Sequence, residues 1–362
     1  MKVLHVINSM ATGGAEKLIA QSLPRLEAAG IQTGLFLLDG TAHPFLAELG
    51  KNYARPVFHQ GPKSPYSPLH ILRLMKVVSK YDIVHVHLFP AVYWVAIAKW
   101  LAFSRAKLIF TEHNTHNRRR EKPLFKLLDK MIYRAYSAVT CITADAREAL
   151  AAHLGSDRKL SVVENGIDLQ AIDAAPRIEP SQIHPSLTQV DKMVVMVAAF
   201  RAQKDHATAI RAMQDLPPDV KLVLAGDGSL KQQNIGLAES LGLTGRVLFL
   251  GNRPDVPSIL KSSHIALLSS HWEGFGLAAV ESMAAGIPFV ASNVAGLSQV
   301  AGGAGILFER GDQMQLSRIL ATLLADPALY AQTASDCRER ALRFDITRMV
   351  ESFIGLYKNT LD

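Results

Sequence analysis

The chain is poor in the groups that build disulfide, metal and membrane-spanning proteins. It has two cysteines, Cys141 and Cys337, far apart and without a CxxC partner. That excludes a disulfide framework and a zinc ribbon, and it makes a reducing cytoplasm the expected compartment. No Asp-x-Asp pair occurs anywhere. A divalent ion held against a phosphorylated ligand needs carboxylates, so no metal and no cofactor are expected. No apolar run reaches the ~20 residues of a spanning helix. The longest, Phe89 to Phe103, is broken by Pro90 and Lys99. Met1-Lys2 is followed at once by Val3–Ile7, too short for a signal peptide and read as a strand.

What is present fits an ordinary globular protein with a basic excess. Of 362 residues, 49% are hydrophobic and 20% charged, and the formal net charge is +7. A chain of this length favours two domains. The positive charge suits a nucleotide diphosphate, a phosphorylated acceptor or an anionic membrane face. No nucleic-acid motif or basic tail accompanies it, so no nucleic acid is expected.

Short apolar runs alternate with helical periodicity. Strands are predicted at Val3–Ile7, Gly34–Leu38, Ile83–His87, Lys107–Thr111 and Ala138–Ile142, and a helix over Ala15–Ala29. The stretch Asp168–Lys192 carries Pro176, Pro180 and Pro185 with little periodicity and reads as a boundary. The alternation then restarts. Strands are predicted at Met193–Ala198, Lys221–Ala225, Val247–Leu250, Ile265–Leu268 and Ile287–Ala291, with helices near 207–213, 230–241 and 277–285. Strands apolar on both faces and separated by helices mark a covered parallel sheet. The expected fold is α/β: two doubly wound Rossmann-like domains facing a central cleft. The predicted division is 1–168, 169–343, and a C-terminal segment 344–362. Its helix Ile346–Leu361 has one apolar stripe; the stripe does not say which domain it covers, and one option is that it packs back on the first.

Five features bear on chemistry. Gly13-Gly14-Ala15-Glu16 follows the first strand and opens a helix, a geometry that suits an anion, although a plain tight turn uses the same glycines. Arg201-Ala-Gln-Lys204-Asp-His206 puts two cations at a strand's carboxyl end, where they could neutralise a departing diphosphate or simply form a solvated loop. Gly226-Asp-Gly228 is a weaker turn of the same kind. Glu273-Gly-Phe-Gly-Leu-Ala-Ala-Val-Glu281 follows a strand and opens a helix whose first amides, around Phe275, Gly276 and Leu277, suit phosphate. Two carboxylates beside a phosphate make sense if each accepts from a vicinal diol, one on a ribose and one on a sugar. His85, His87, His113 and His116 have HxH and HxxH spacing. Without a converging carboxylate or cysteine, the favoured reading is a substrate donor at His113 and a core histidine at His85 rather than a metal site. Finally, the basic and apolar run from Arg118-Arg119-Arg120 to Ile132 could lie on an anionic membrane or meet an acidic acceptor, or it could be an ordinary packed helix.

These motifs together resemble the retaining glycosyltransferases of the GT-B fold whose signature is Glu-x7-Glu, the large bacterial group 1 family that includes plant sucrose synthases. Besides Glu273 to Glu281, the segments Gly13-Gly14-Ala-Glu, His85-Val-His87, Thr111-Glu-His113, Asn165-Gly-Ile-Asp168, Gln203-Lys204-Asp-His206, Gly226-Asp-Gly228 and Val247-Leu-Phe-Leu-Gly251 fall in the family's order. The resemblance implies that Glu281 accepts the ribose diol and Glu273 the donor-sugar hydroxyls. Lys204, a nearby arginine and the Gly276-Leu277 amides form the diphosphate clamp. His113 lies beside the transferred sugar, Gly14 at the diphosphate, and the turn at Asn252-Arg253 at the base. The family's arginine five residues before the lysine is Ala199 here, and Arg201 stands nearby. The implied activity is transfer of a hexosyl or N-acetylhexosaminyl group from a nucleotide diphosphate sugar, UDP first and GDP second. The acceptor is a glycan or lipid-linked molecule in cell-surface polysaccharide or lipopolysaccharide synthesis. The protein is expected in the cytoplasm, with peripheral contact to the inner membrane. A nucleotide-sugar epimerase, a glycan phosphorylase, and a non-catalytic nucleotide-sugar-binding subunit are the competing readings.

Overall fold

The computed structural model describes residues 1–59, 61–113, 120 and 122–362. The chain divides into two compact units, Met1–Gly166 with Ile346–Asp362, and Ile167–Asp345. The first unit holds a parallel seven-stranded sheet: β1 (Lys2–Ile7), β2 (Gln32–Leu37), β3 (Val57–Phe58), β4 (Ile83–His87), β5 (Lys107–Glu112), β6 (Ala138–Cys141) and β7 (Leu160–Val162), in the order 3-2-1-4-5-6-7. The second holds β8 (Lys192–Val197), β9 (Val220–Ala225), β10 (Val247–Gly251), β11 (Ile265–Leu268), β12 (Phe289–Ser292) and β13 (Ile306–Phe308), in the order 10-9-8-11-12-13. Both sheets reverse their winding beside the first strand, between β1 and β4 and between β8 and β11. Such a switch point is where doubly wound sheets take ligands, at the strands' carboxyl ends.

The strands are apolar because both faces are covered. On one face of the first sheet Leu4, Val6, Val84, Val86, Leu108 and Phe110 are buried with Leu74, Val92 and Val95 of the covering helices. Each such side chain stabilises the fold by roughly 1.5–3 kcal/mol. The other face differs. Register pairs His5 with His85, His87 with Thr111, and Thr111 with Thr140. Because side chains alternate along a strand, those polar groups share one face. The helices Gly14–Ala28 and Ile346–Leu361, which pack together, belong to this unit. From the latter, Phe353 and Tyr357 meet the His85 ring edge-on, with centroids 5.0 and 5.6 Å away.

The division falls after Gly166, so the proline-rich segment 168–191 lies wholly in the second unit, where it forms two short helices, Leu169–Ala174 and Pro180–Ile183. No described helix is long and apolar enough to cross a membrane.

Candidate active site

In the second unit two loops leave the strands that flank the switch point. After β8 the chain passes Arg201 and makes a short 3-10 turn, Ala202–Lys204. Asp205 then takes a left-handed φ of 46° and caps the helix His206–Ala212, its carboxylate accepting from Thr208 N at 3.3 Å and Oγ1 at 2.6 Å. The loop after β11 is stitched to this turn. Ser269 Oγ donates to the Asp205 carbonyl (2.7 Å), the His271 amide to the Gln203 carbonyl (2.7 Å), and Gln203 Nε2 to the Trp272 carbonyl (2.9 Å). Such cross-loop bonds fix Lys204 and Glu273 relative to each other.

Glu273 is buried at that seam. Its carboxylate forms an ion pair with Lys204 and accepts from Ser270 Oγ (2.9 Å) and Gln203 Nε2 (3.4 Å). A buried carboxylate needs such donors to remain charged. The ammonium has three N–H donors and spends one here, so it can also reach a phosphate oxygen.

The helix Leu277–Ala284 begins immediately afterwards. Its N-cap, Gly276, has φ 86°, a left-handed conformation that side-chain-bearing residues avoid. Phe275 is buried and meets Phe344 edge-on at 5.4 Å, which anchors the loop from below. The first amides of the helix have no partner within it, and the helix dipole adds positive potential there. Glu281, one turn further, is partly buried. Gly226 serves a different need. A Cβ there would lie 2.1 Å from the Ala198 carbonyl oxygen, so only glycine lets the end of β9 touch the chain leaving β8.

The two arginines expected at the donor separate. Arg201 is exposed, and its side chain has no partner among the described residues. Arg253 is committed internally. It pairs bidentately with Asp255 (2.8 and 2.6 Å) and donates to the Ile183 and Gln182 carbonyls (3.1 and 3.4 Å). The Asp255 carboxylate holds its pKa above the usual arginine value. Its turn therefore offers a ligand backbone rather than a free guanidinium.

In the first unit Gly13 and Gly14 stand at the start of the helix Gly14–Ala28, past the carboxyl end of β1, with Gly14 exposed. His87 ends β4, and His113 directly follows β5. His113 Nε2 lies 3.2 Å from His87 Nδ1, and His87 Nε2 lies 3.2 Å from His5 Nδ1. His85 is fully buried, with Thr111 Oγ1 and the Tyr357 hydroxyl each 2.7 Å from one of its ring nitrogens. Burial lowers the pKa of His5 to about 3 and of His113 to about 4, and lowers those of His85 and His87 well below the usual value. All four rings are therefore neutral near pH 7. A small cavity beside them is lined by His5, Ser22, His87, His113, Asn165 and Phe353. His5, His85 and His87 bring ring nitrogens within 4.8 Å of one another, close enough for one cation. Every ring nitrogen of the three already faces a hydrogen-bonding partner, however. His5 escaped the sequence reading because its link to the HxH pair exists only through strand register.

Arg118, Arg119 and His116 lie outside the described residues. Arg120, grouped with the first two as a surface patch, instead has a mostly buried side chain that pairs with Glu112 at the end of β5. Charge neutralisation of a buried carboxylate explains the inward turn. The exposed apolar residues of this region lie further on, at Leu124, Leu127 and Met131 of the helix Pro123–Tyr133.

Known proteins resemble this chain in sequence and in fold. The model for Glycosyltransferase Family 4 matches residues 12–171, and that for Glycosyl transferases group 1 matches residues 182–343. An Escherichia coli UDP-Gal:alpha-D-GlcNAc-diphosphoundecaprenol alpha-1,3-galactosyltransferase is 28% identical over 312 residues, 82% of this chain and 79% of that one. The Bacillus anthracis N-acetyl-alpha-D-glucosaminyl L-malate synthase is 26% identical over 330 residues, 86% of each chain. Among solved structures, HepE from Anabaena in complex with UDP and glucose superposes with a TM-score of 0.85 at 24% identity, over 99% of this chain and 100% of that one. With two parallel-sheet Rossmann-like units of the GT-B fold and both halves matched, this chain belongs to the group 1 glycosyltransferases.

Proposed function

We propose that the protein transfers a hexosyl or N-acetylhexosaminyl group from a UDP-sugar to a glycan or lipid-linked acceptor, with retention of anomeric configuration and without a metal. The observation that carries this reading is the Lys204–Glu273 pair at the switch point of the second unit, beside a helix start. Lys204 would place its remaining donors on the diphosphate, together with the Gly276 and Leu277 amides and Arg201. Glu273 would hold hydroxyls of the donor sugar, and Glu281 the ribose diol. The UDP choice is supported by the UDP complex of HepE and by the UDP-Gal donor in the name of the E. coli relative. That relative's polyprenyl-diphosphate acceptor supports a lipid-linked one here.

Catalysis then consists of positioning and of stabilising charge on the departing diphosphate. The acceptor oxygen attacks the anomeric carbon from the face the diphosphate leaves. A phosphate oxygen takes the acceptor's proton, so no protein nucleophile is needed. Backbone amides, Lys204 and Arg201 take the place of a divalent ion.

A peripheral membrane contact suits such an acceptor. Leu124 and Leu127 are 67% and 69% exposed, and Met131 lies on the same helix face one turn on. Lys122, Lys126 and Lys130 flank them and are exposed. An outward apolar stripe bordered by lysines matches an anionic bilayer surface.

The test is binding followed by turnover. A thermal-shift panel of nucleotide sugars should single out one UDP-sugar, since ligand binding stabilises by mass action. Transfer from that donor to a polyprenyl-diphosphate sugar should then be followed by product stereochemistry. Absence of any nucleotide-sugar shift would sink the reading, and an inverted product would sink the retaining mechanism.

A further inference from the structure

The histidines of the first unit form one continuous chain of hydrogen bonds. It starts at Thr140 and runs to Thr111 (2.8 Å), His85 Nε2 (2.7 Å), and from His85 Nδ1 to the Tyr357 hydroxyl (2.7 Å). It continues from that hydroxyl to His5 Nε2 (3.5 Å), from His5 Nδ1 to His87 Nε2 (3.2 Å), and from His87 Nδ1 to His113 Nε2 (3.2 Å). His113 Nδ1 ends the chain, with no protein partner among the described residues. We propose that this wire, anchored at Thr140 and gated by Tyr357 of the C-terminal helix, fixes His113 as its Nδ1–H tautomer, so that His113 always offers its ligand a donor.

The direction follows from proton counting. A neutral imidazole has one N–H and one lone pair, and a hydroxyl has one proton. Each bond therefore dictates the next, and only two uninterrupted polarities exist. In one, protons point outward from Thr140. Thr140 donates to Thr111, Thr111 to His85 Nε2, His85 Nδ1–H to the Tyr357 oxygen, Tyr357 to His5 Nε2, His5 Nδ1–H to His87, and His87 Nδ1–H to His113 Nε2. His113 must then carry its own proton on Nδ1. In the other polarity every bond is reversed, and His113 Nδ1 is a bare lone pair.

The inner end decides between them. Thr140 is fully buried, and Thr111 is the one hydrogen-bond partner of its side chain among the described residues. In the inward polarity Thr140 would accept from Thr111, and its own proton would have no acceptor in a dry interior, which is unfavourable. The outward polarity gives every hydroxyl proton an acceptor. Burial keeps all four rings neutral, so the wire is not interrupted by an imidazolium near pH 7.

The consequence is selectivity. A donor at His113 Nδ1 requires an acceptor oxygen opposite it, on a sugar hydroxyl or a phosphate. The identity of that ligand rests on the sugar-transfer reading; the tautomer does not. His5, His85, His87, Thr111, Thr140 and Tyr357 are positioning residues that act through His113.

The test uses the full chain labelled with 15N-histidine. Multiple-bond 1H–15N spectra separate protonated from bare ring nitrogens, and His113→Gln assigns the His113 signals. Wild type should show His113 protonated on Nδ1. Tyr357→Phe keeps the ring against His85 and Phe353 but removes the hydroxyl. It should turn His113 into a mixture of tautomers. Thr111→Val should do the same and Thr111→Ser should not, which provides a second route if the Tyr357 variant folds poorly. In the mixed variants the donor KM should rise about twofold for an even mixture, with little change in kcat, because half the molecules are binding-competent. An Nε2–H tautomer in wild type overturns the proposal, as does an unchanged Nδ1–H signal in both Tyr357→Phe and Thr111→Val. One-to-one perturbation of the His5 and His87 nitrogens by added zinc overturns it in favour of a metal site. Tautomer changes without kinetic changes would uphold the wire and refute the role given to His113 in transfer.

Discussion

The Lys204–Glu273 pair makes separable predictions for stability and for turnover. Three variants test them: Lys204→Met, Glu273→Gln, and the double substitution. At contact and an effective dielectric near 20, the gross attraction is about 4–6 kcal/mol, most of it offset by lost hydration. Removing one partner strands the other charge, which costs about 3–5 kcal/mol when burial is complete. Here the side chains of Lys204 and Glu273 are 19% and 7% exposed. Stranding Glu273 is therefore the worse case, at about 2–3 kcal/mol for Lys204→Met, against about 1–2 for Glu273→Gln, where the ammonium can turn to water. In a unit of this size each kcal/mol moves the melting temperature by about 2–4 °C. Scanning calorimetry should thus show a drop of about 5–10 °C for the lysine variant and a smaller one for the glutamate variant. The double variant strands no charge and should melt near wild type. Turnover follows a different rule. Under the proposed mechanism both groups act on the transition state, and all three variants should then lose at least about a hundredfold in kcat/KM, measured by UDP release with acceptor present. A double variant that regained both stability and turnover would show the pair to be a structural bridge. A Lys204→Met protein that melted like wild type would refute the burial argument itself.

Four further outcomes are expected. Because burial lowers the folded-state pKa of His5 to about 3 and of His113 to about 4, the unfolded chain binds more protons between those values and ~6.5. The stability they contribute is complete above pH ~6.5 and is lost as pH falls, by about 1.4 kcal/mol per unit for each histidine. The melting temperature of the first unit should accordingly fall between pH 7 and pH 5, and a flat profile would contradict the buried neutral rings. Gly226→Ala places a Cβ 2.1 Å from the Ala198 oxygen at a φ of 147° and should cost at least about 2 kcal/mol, read as a thermal melt. Leu124→Glu with Leu127→Glu should weaken co-sedimentation with anionic vesicles at least about tenfold while leaving the melting temperature unchanged, since both leucines are exposed. Transfer should persist in EDTA; a loss that added magnesium restores would overturn the metal-free mechanism.

The sheets were legible because their central strands are continuous apolar runs. Ten strands were anticipated, and two of them, Ile83–His87 and Ile265–Leu268, begin and end on the same residues as predicted. The three that were not anticipated, Val57–Phe58, Leu160–Val162 and Ile306–Phe308, lie at sheet edges and have two or three residues each. An edge strand pairs on one side only and need not be apolar throughout, so it leaves little periodic signal. The Glu273 loop was legible for the opposite reason. Gly274 and Gly276 around a phenylalanine answer a backbone demand that few other residues meet, and Gly276 does take a left-handed φ. What the sequence could not show is which donors a given side chain already has. Arg253 looks available in a string of letters, yet Asp255 two residues on and two carbonyls some seventy residues back take up its guanidinium.

The two units also handle buried polarity in different ways, and that difference bears on the chemistry. In the second unit a carboxylate and an ammonium pair with each other, and the carboxylate also accepts from Ser270 and Gln203. Charge there is of use against a diphosphate, whose own charge a neutral site could not offset. In the first unit polarity is carried by four neutral imidazoles, two threonines and a tyrosine, with no carboxylate among the linked groups. A glycosyl group is neutral, and hydroxyl recognition depends on which partner donates. A charged histidine would donate from both nitrogens whatever the ligand. A neutral ring with a fixed tautomer discriminates between an oxygen that accepts and a hydroxyl that must donate. Burying His113 in a row of histidines is therefore an economical way to obtain a directional donor, because each ring in the row removes the next one's freedom to choose its proton.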